Sequence, residues 1–204
     1  MSPSISVVLH NIRSVYNVGA ILRTCEGFGV ERAIFSGYTP RYDDATLLPH
    51  LRAKLNHQIS KSALGAETLV PQQHVDDLAA WLDAEHQAGQ TIIGLENNLA
   101  PAELPRRWLL GTPIPAQLSA WQSAASSATS GTCQAALPGD LALSPASLIL
   151  LLGEEVHGIP AGLRPAVDLF LEIPMRGRKE SFNVSVATGI ALWGIISASQ
   201  RPQP

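Results

Sequence analysis

Two arginines and an asparagine near the amino terminus lie where a short apolar run gives way to a helical pattern. Arg13, Asn17 and Arg23 follow the run at residues 6–9 and could converge at the end of that strand. Arg23 interrupts an otherwise apolar helical face, and an inward-directed guanidinium needs an anionic partner. Taken alone, Asn17 is better explained as the N-cap of the following helix. We therefore expect Arg23 to act on an anion or to pair with a buried carboxylate.

A second candidate segment places two glutamates between two glycines, after the apolar run at residues 147–152. Gly153 and Gly158 let the backbone turn sharply and approach a ligand closely. Glu154 and Glu155 lie between them, and simple solvation would explain their charge as well. By itself the pattern indicates a glycine turn that a ligand could use.

A third segment combines positive charge, a glycine and hydroxyl or amide groups before a helix. Arg176, Arg178 and Lys179 form a compact cationic cluster, and Ser181 and Asn183 follow it. The two polar residues could be helix caps and the basic triplet a solvated loop. The functional alternative is a surface that binds a phosphate backbone.

Other common sites are missing from the sequence. It contains neither a Walker A loop nor GxGxxG, so a nucleotide would need a different kind of loop. The six histidines show no HExxH spacing, and the two cysteines form no CxxC pair. We predict no metal site.

Strands and helices alternate along the chain, which predicts an α/β fold with a parallel sheet flanked by helices. Predicted strands lie at residues 6–9, 32–35, 91–95, 147–152 and 169–173, the last two central in the sheet. Predicted helices lie at 17–26, 75–88 and 183–200, and the segment up to residue 66 is partly helical. Ligands of such sheets bind beyond the carboxyl ends of the strands, where the three polar segments begin.

Residues 99–146 differ in composition from the rest of the chain, because they are rich in Ala, Ser, Pro and Gly and carry few charges. We interpret them as an insertion or flexible loop in a single domain spanning 1–204 and give them no catalytic role. Trp108 and Trp121 could dock this loop on the body or on a partner.

Composition limits the classes of partner. With 15% charged residues and a formal net charge of −3, any surface for nucleic acid must be local. The amino terminus lacks a basic region before a long apolar one, and the apolar tract at 184–198 is shorter than the roughly 20 residues that cross a bilayer. We expect a cytoplasmic protein.

The last helix has no wide polar face, which predicts a dimer interface.

Together the three segments resemble the signature motifs of the SpoU/TrmH family of SPOUT methyltransferases, in the same order and at comparable spacing. They are similar to N-x-G-x-x-x-R-T, G-N-E-x-x-G and I-P-M-x-G-x-x-x-S-L-N-V-S-V-A. The resemblance covers residues 6–98 and 147–199. Two positions depart from it, because Glu154 stands where the family has asparagine and Phe182 where it has leucine.

This resemblance implies a deep trefoil knot near the carboxyl terminus, a homodimer, and methyl transfer from S-adenosylmethionine to a ribose 2'-hydroxyl of transfer or ribosomal RNA. It implies cofactor contacts from Leu95, Gly153, Glu154, Gly158, Ile173, Met175 and Phe182. Glu155, Ser181 and Asn183 would shape the reacting end with Asn17, and Arg23 would act on the hydroxyl. RNA contacts would come from Arg13, Arg176, Arg178 and Lys179.

The role of Arg23 has more than one reading. A guanidinium, with a pKa above about 12, is a poor base, so stabilising an alkoxide or orienting a phosphate is easier for it than taking a proton. Two alternatives to ribose methylation stay open. One is a SPOUT enzyme that methylates a base nitrogen, and the other is a catalytically silent RNA-binding dimer.

Overall fold

Seven parallel strands form one sheet in the computed structural model, which describes residues 4–112 and 147–199. The strands are β1 (Ile5–His10), β2 (Arg32–Ser36), β3 (Gln72–Val75), β4 (Thr91–Leu95), β5 (Arg107–Leu109), β6 (Leu148–Leu152) and β7 (Leu169–Glu172). The helices are α1 (Val15–Gly27), α2 (Pro49–Ala63), α3 (Ala66–Leu69), α4 (Leu78–Gln87) and α5 (Val184–Ser199). The order in the sheet is β3-β2-β1-β6-β4-β7-β5, so the predicted parallel α/β sheet is confirmed.

The middle of the sheet is apolar on both faces. All five residues of β6 are buried, as expected for a strand covered by helices on each side. One core cluster contains buried residues of α1, α2 and α5, and the other contains Leu78 and Leu82 of α4. Three helices therefore cover one face and α4 the opposite face. Within the described residues no helix is long and apolar enough to cross a membrane.

Local side chains determine where two of the helices begin. The Ser14 hydroxyl accepts a hydrogen bond from the Asn17 amide at 3.3 Å, so Ser14 is the N-cap of α1. The expectation that Asn17 is that cap is wrong. Asp77 caps α4 by accepting from the Ala80 amide at 3.0 Å.

The predicted elements are wrong at both edges of the sheet. Residues 75–88 do not form one helix, because Val75 ends β3 and α4 begins at Leu78. Residues 107–109, placed in a flexible insertion, form β5 and pair with β7, and Trp108 is buried there. Since β5 lies outside β7, β7 is next to an edge instead of central. Residues 113–146 of the predicted insertion, with Trp121, lie outside the described residues.

Candidate active site

The carboxyl ends of three neighbouring strands, β6, β4 and β7, surround a cleft of about 170 Å³. Most of the predicted site residues line it, namely Leu95, Gly153, Glu154, Glu155, Gly158, Ile173, Ser181, Phe182 and Asn183. Met175 is not among the lining residues. The cleft is smaller than the roughly 300–1,000 Å³ of typical small-molecule pockets, so a ligand of cofactor size would also extend over its rim.

The glycine turn after β6 forms one wall. The amides of Glu154 and Gly158 each donate to the other's carbonyl at 3.0 Å, which closes a narrow loop. A Cβ at Gly153 would lie 2.2 Å from the carbonyl carbon of Gly158. Gly158 itself has a φ of 69°, a conformation that favours glycine. Glycine at these two positions therefore lets the loop close tightly on itself, and both glycines line the cleft.

Glu155 is bound by the amino-terminal segment, more than a hundred residues away in sequence. Its carboxylate accepts from the backbone amides of Arg13 at 3.1 Å and Ser14 at 3.2 Å, and from Nδ2 of Asn17 at 3.3 Å. The amides belong to the entry into α1, where the helix dipole also favours a negative charge. Glu155 is exposed, but it is not merely solvated, because it joins the loop after β6 to the start of α1.

Asn17 links this carboxylate to the third segment. Its Oδ1 accepts from Nδ2 of Asn183 at 3.1 Å. Oδ1 of Asn183 accepts from the Ser185 amide at 2.9 Å, so Asn183 also caps α5. All three sequence segments thus meet in one hydrogen-bond network through Glu155, Asn17 and Asn183.

The network holds Glu155 in its ionised form. Burial of the carboxylate, the largest single influence, raises its pKa, but the hydrogen bonds from Arg13, Ser14 and Asn17 outweigh burial and lower the pKa below 4.5. A lowered folded-state pKa contributes stability that is present above the unfolded value and lost as pH falls through the folded value. The contribution is thus complete at neutral pH.

Replacing Glu155 with glutamine should lower the free energy of unfolding at neutral pH, and this difference should shrink as pH falls below 4.5. Urea unfolding of parent and variant over a series of pH values measures it. Glu26→Gln, at an exposed position on α1, controls for loss of one negative charge. A Glu155→Gln effect that does not vary with pH would contradict this account.

Glu154 has a different environment from its neighbour. Its Oε2 accepts from the Tyr38 hydroxyl at 2.8 Å, and this hydrogen bond raises the pKa of Tyr38. Tyr38 follows β2 and is 51% exposed, so an aromatic face remains available beside the cleft. The acid that replaces the family's asparagine is therefore tied to the loop after β2.

The cationic residues predicted for the site lie outside the cleft lining. Arg13, Arg176, Arg178 and Lys179 are exposed, as a surface for RNA requires. Arg23 is also exposed and has no hydrogen bond or ion pair within residues 4–112 and 147–199. The expectation that it points inward toward a carboxylate is wrong, because its side chain leaves the apolar face of α1.

Sequence reasoning missed two residues directly after β4. Glu96 is 7% exposed and Asn97 is half-buried, and both line the cleft. Their position at the carboxyl end of a predicted strand was the available signal. Among residues 4–112 and 147–199 no group of three or more His, Cys, Asp or Glu side chains could hold a metal ion.

Comparisons with known proteins agree on one family. The model of the SpoU rRNA Methylase family matches residues 4–193. The 23S rRNA (guanosine-2'-O-)-methyltransferase RlmB of Pseudomonas putida is 27% identical over 199 residues, which cover 98% of this chain and 61% of that protein. This chain thus spans about three fifths of that relative's length.

Solved structures share the fold. The TrmH/SpoU tRNA modifying enzyme of A. aeolicus superposes with a TM-score of 0.62 at 19% identity, over 97% of this chain and 76% of that one. An AdoMet-bound rRNA methyltransferase from Sinorhizobium meliloti gives a TM-score of 0.62 at 19% identity, over 95% of this chain and 56% of that one. At these identities the likeness concerns the fold.

Proposed function

The chain belongs to the SpoU rRNA methylase family, and on that premise we propose that it transfers a methyl group from S-adenosylmethionine to a ribose 2'-hydroxyl of RNA. The network that joins Glu155, Asn17 and Asn183 beside the cleft carries this proposal. It unites the three segments that resemble the family's motifs, and it does so where ligands of parallel sheets bind.

The residues around the cleft fit this cofactor. Gly153 and Gly158 line the cleft, and because a Cβ there would meet other atoms at 2.2 and 2.0 Å, the turn that forms this wall depends on glycine at both positions. Leu95, Ile173 and Phe182 add apolar surface for a flat ring. S-adenosylmethionine would supply the methyl group from its positively charged sulfonium. The ionised Glu155 lines the cleft, so its negative charge would favour this cation there.

A deep trefoil knot belongs to the same proposal. Its support is the placement of the segment after β7, which turns back past the residues that follow β4 and leads into α5. The cleft would then be built from the knotted segments.

Arg23 would assist departure of the ribose proton. Its exposed guanidinium can stabilise the developing alkoxide or hold an adjacent phosphate, because no group in the described residues occupies it. The substrate or a second protomer would provide its anionic partner. Asn17, Ser181 and Asn183 would orient the ribose at the reacting end of the cleft.

RNA would contact the exposed cations at Arg13, Arg176, Arg178 and Lys179. Ribosomal RNA is the first substrate to test, because RlmB proteins at 26–27% identity are named for methylating a guanosine of 23S rRNA. Transfer RNA is the second. Because contacts with RNA phosphates release counterions, the affinity for RNA should fall as the salt concentration rises.

Two measurements test the function. Calorimetry with S-adenosylmethionine and with its demethylated product should show binding by the parent protein. Incubation with RNA and methyl-labelled cofactor should then produce alkali-resistant dinucleotides, which mark 2'-O-methylation. Label on a base would instead indicate the base-directed alternative, and absence of cofactor binding the silent dimer.

We also propose a homodimer through α5. Val186, Ile190 and Trp193 follow helical spacing, and Val186 and Trp193 are 49% and 65% exposed in the single chain. Large apolar side chains at this spacing on a surface indicate an interface. The stripe lies on a helix that contacts α1, so dimerisation would bring a second protomer close to the helix that carries Arg23.

Trp193→Lys should convert the dimer to a monomer, because a charge would be buried where the most exposed apolar side chain of the stripe now lies. Sedimentation should give twice 21.7 kDa for the parent and 21.7 kDa for the variant. Leu48→Lys, at another exposed apolar position, should remain dimeric. A parent protein that sediments as a monomer at micromolar concentration would refute the dimer.

A further inference from the structure

Glu96, directly after β4, is buried and accepts four hydrogen bonds. Its Oε1 accepts from the amides of the next two residues at 2.9 and 3.0 Å. Its Oε2 accepts from the amide of Ile159 at 3.0 Å and from Nη2 of Arg164 at 3.1 Å. The carboxylate also fills the space behind Gly158, where a Cβ would lie 2.0 Å from Oε2. Glu96 therefore fixes the loop after β6 from behind.

Arg164 completes this attachment. Its Nε donates to the carbonyl of Ile159 at 2.9 Å, so both backbone polar groups of Ile159 are bound by side chains. Glu103 also pairs with Arg164 at 2.5 Å but does not line the cleft. The two glutamates thus share one arginine, and of the two only Glu96 bonds directly to residues 153–159.

Asn97, the adjacent residue, binds the opposite wall of the cleft. Its Oδ1 accepts from the amide of Ile173 at 3.2 Å, and its Nδ2 donates to the carbonyls of Ile173 at 3.2 Å and Glu180 at 3.1 Å. Within the described parts of the chain, residues 174–182 make no other hydrogen bond. One asparagine therefore attaches a long exposed loop to the sheet.

We propose that Glu96 and Asn97 are positioning residues that hold the two loops of the cleft, 153–159 and 173–183, in the geometry that binds the cofactor. The proposal rests on the proposed function, since the loops are those assigned to S-adenosylmethionine. Neighbouring residues of one short segment hold both walls, so the distance between the walls is fixed by β4. Preorganised loops bind a ligand without a further ordering cost.

Asn97→Ala tests the wall formed by residues 173–183. Loss of its three hydrogen bonds should accelerate tryptic cleavage after Arg176, Arg178 and Lys179 and raise the cofactor Kd, each by about tenfold or more. Asn56→Ala is the matched control, because Asn56, on α2, also binds a loop residue by accepting from the Asp43 amide at 2.9 Å, and neither residue lines the cleft. It should lower Tm without either change.

Glu96→Gln tests the opposite wall, with Glu103→Gln as its control. Each variant removes one carboxylate from Arg164, and both should lower Tm. Only Glu96→Gln places an amide NH₂ against donors that include Ile159, so its cofactor Kd should rise about tenfold above that of Glu103→Gln. Equal Kd values for the two variants would assign the effect to the ion pair and overturn the role of Glu96.

Failure of the proposed function can be recognised separately. A parent protein that binds neither S-adenosylmethionine nor its product would refute the function, and the tryptic comparison would still decide whether Asn97 holds its loop. If Asn97→Ala and Asn56→Ala are cleaved at equal rates and bind the cofactor equally, the positioning role is overturned.

Discussion

Replacing Arg23 with alanine is expected to reduce the single-turnover rate of methyl transfer to RNA by roughly 100-fold or more. Tm and cofactor affinity should change little. Because the guanidinium is exposed and has no partner in the described residues, its removal strands no buried charge. An effect on rate alone therefore assigns it to the ribose hydroxyl or an adjacent phosphate.

Two further variants sharpen the interpretation of Arg23. Arg23→Lys keeps the positive charge but loses the planar fork, so partial activity would indicate electrostatic stabilisation, and none would indicate a geometric demand. Arg52→Ala, on α2, removes a partly exposed arginine as a control for net charge. An Arg23→Ala protein that folds and transfers at the parent rate would refute the assignment.

The middle of the fold was predictable from sequence, whereas its edges were not. The buried strand β6 is a continuous apolar run, and β4 was predicted with its observed bounds. Both edge strands were missed. β3 reads QQHV and β5 has three residues, RWL, so neither presents a long apolar pattern. Edge strands are short and partly polar because one side lacks a partner.

The site was predictable in a similar way. Its loops follow from the rule that parallel sheets bind ligands at their carboxyl ends, and the structure brings Glu155, Asn17 and Asn183 together there. Glu96 and Asn97 bond to residues 63 to 83 positions away. No periodicity encodes such contacts. The direction of Arg23 was also mispredicted, because at 3.6 residues per turn Arg23 lies well away from the face of α1 that Val18, Ile21, Leu22 and Cys25 bury.

Gly153→Ala is expected to raise the cofactor Kd by about 100-fold while leaving most of the fold intact. The added Cβ would lie 2.2, 2.3 and 2.4 Å from the Gly158 carbonyl carbon, the Gly158 oxygen and the Ile159 nitrogen. All three are backbone atoms, which cannot move aside by a change of rotamer. The turn from 153 to 158 must therefore shift, at a cost of about 1–3 kcal/mol in stability.

The larger consequence of Gly153→Ala concerns binding, because the displaced backbone is the wall of the cleft. Loss of roughly 3 kcal/mol of contacts with this wall corresponds to a Kd raised about 100-fold, which calorimetry would measure. Gly162→Ala is the matched control, since its Cβ would meet no atom within 4 Å. It should retain parent Tm and Kd. Unchanged affinity in Gly153→Ala would place the cofactor elsewhere, because no ligand that contacts this turn could tolerate its displacement.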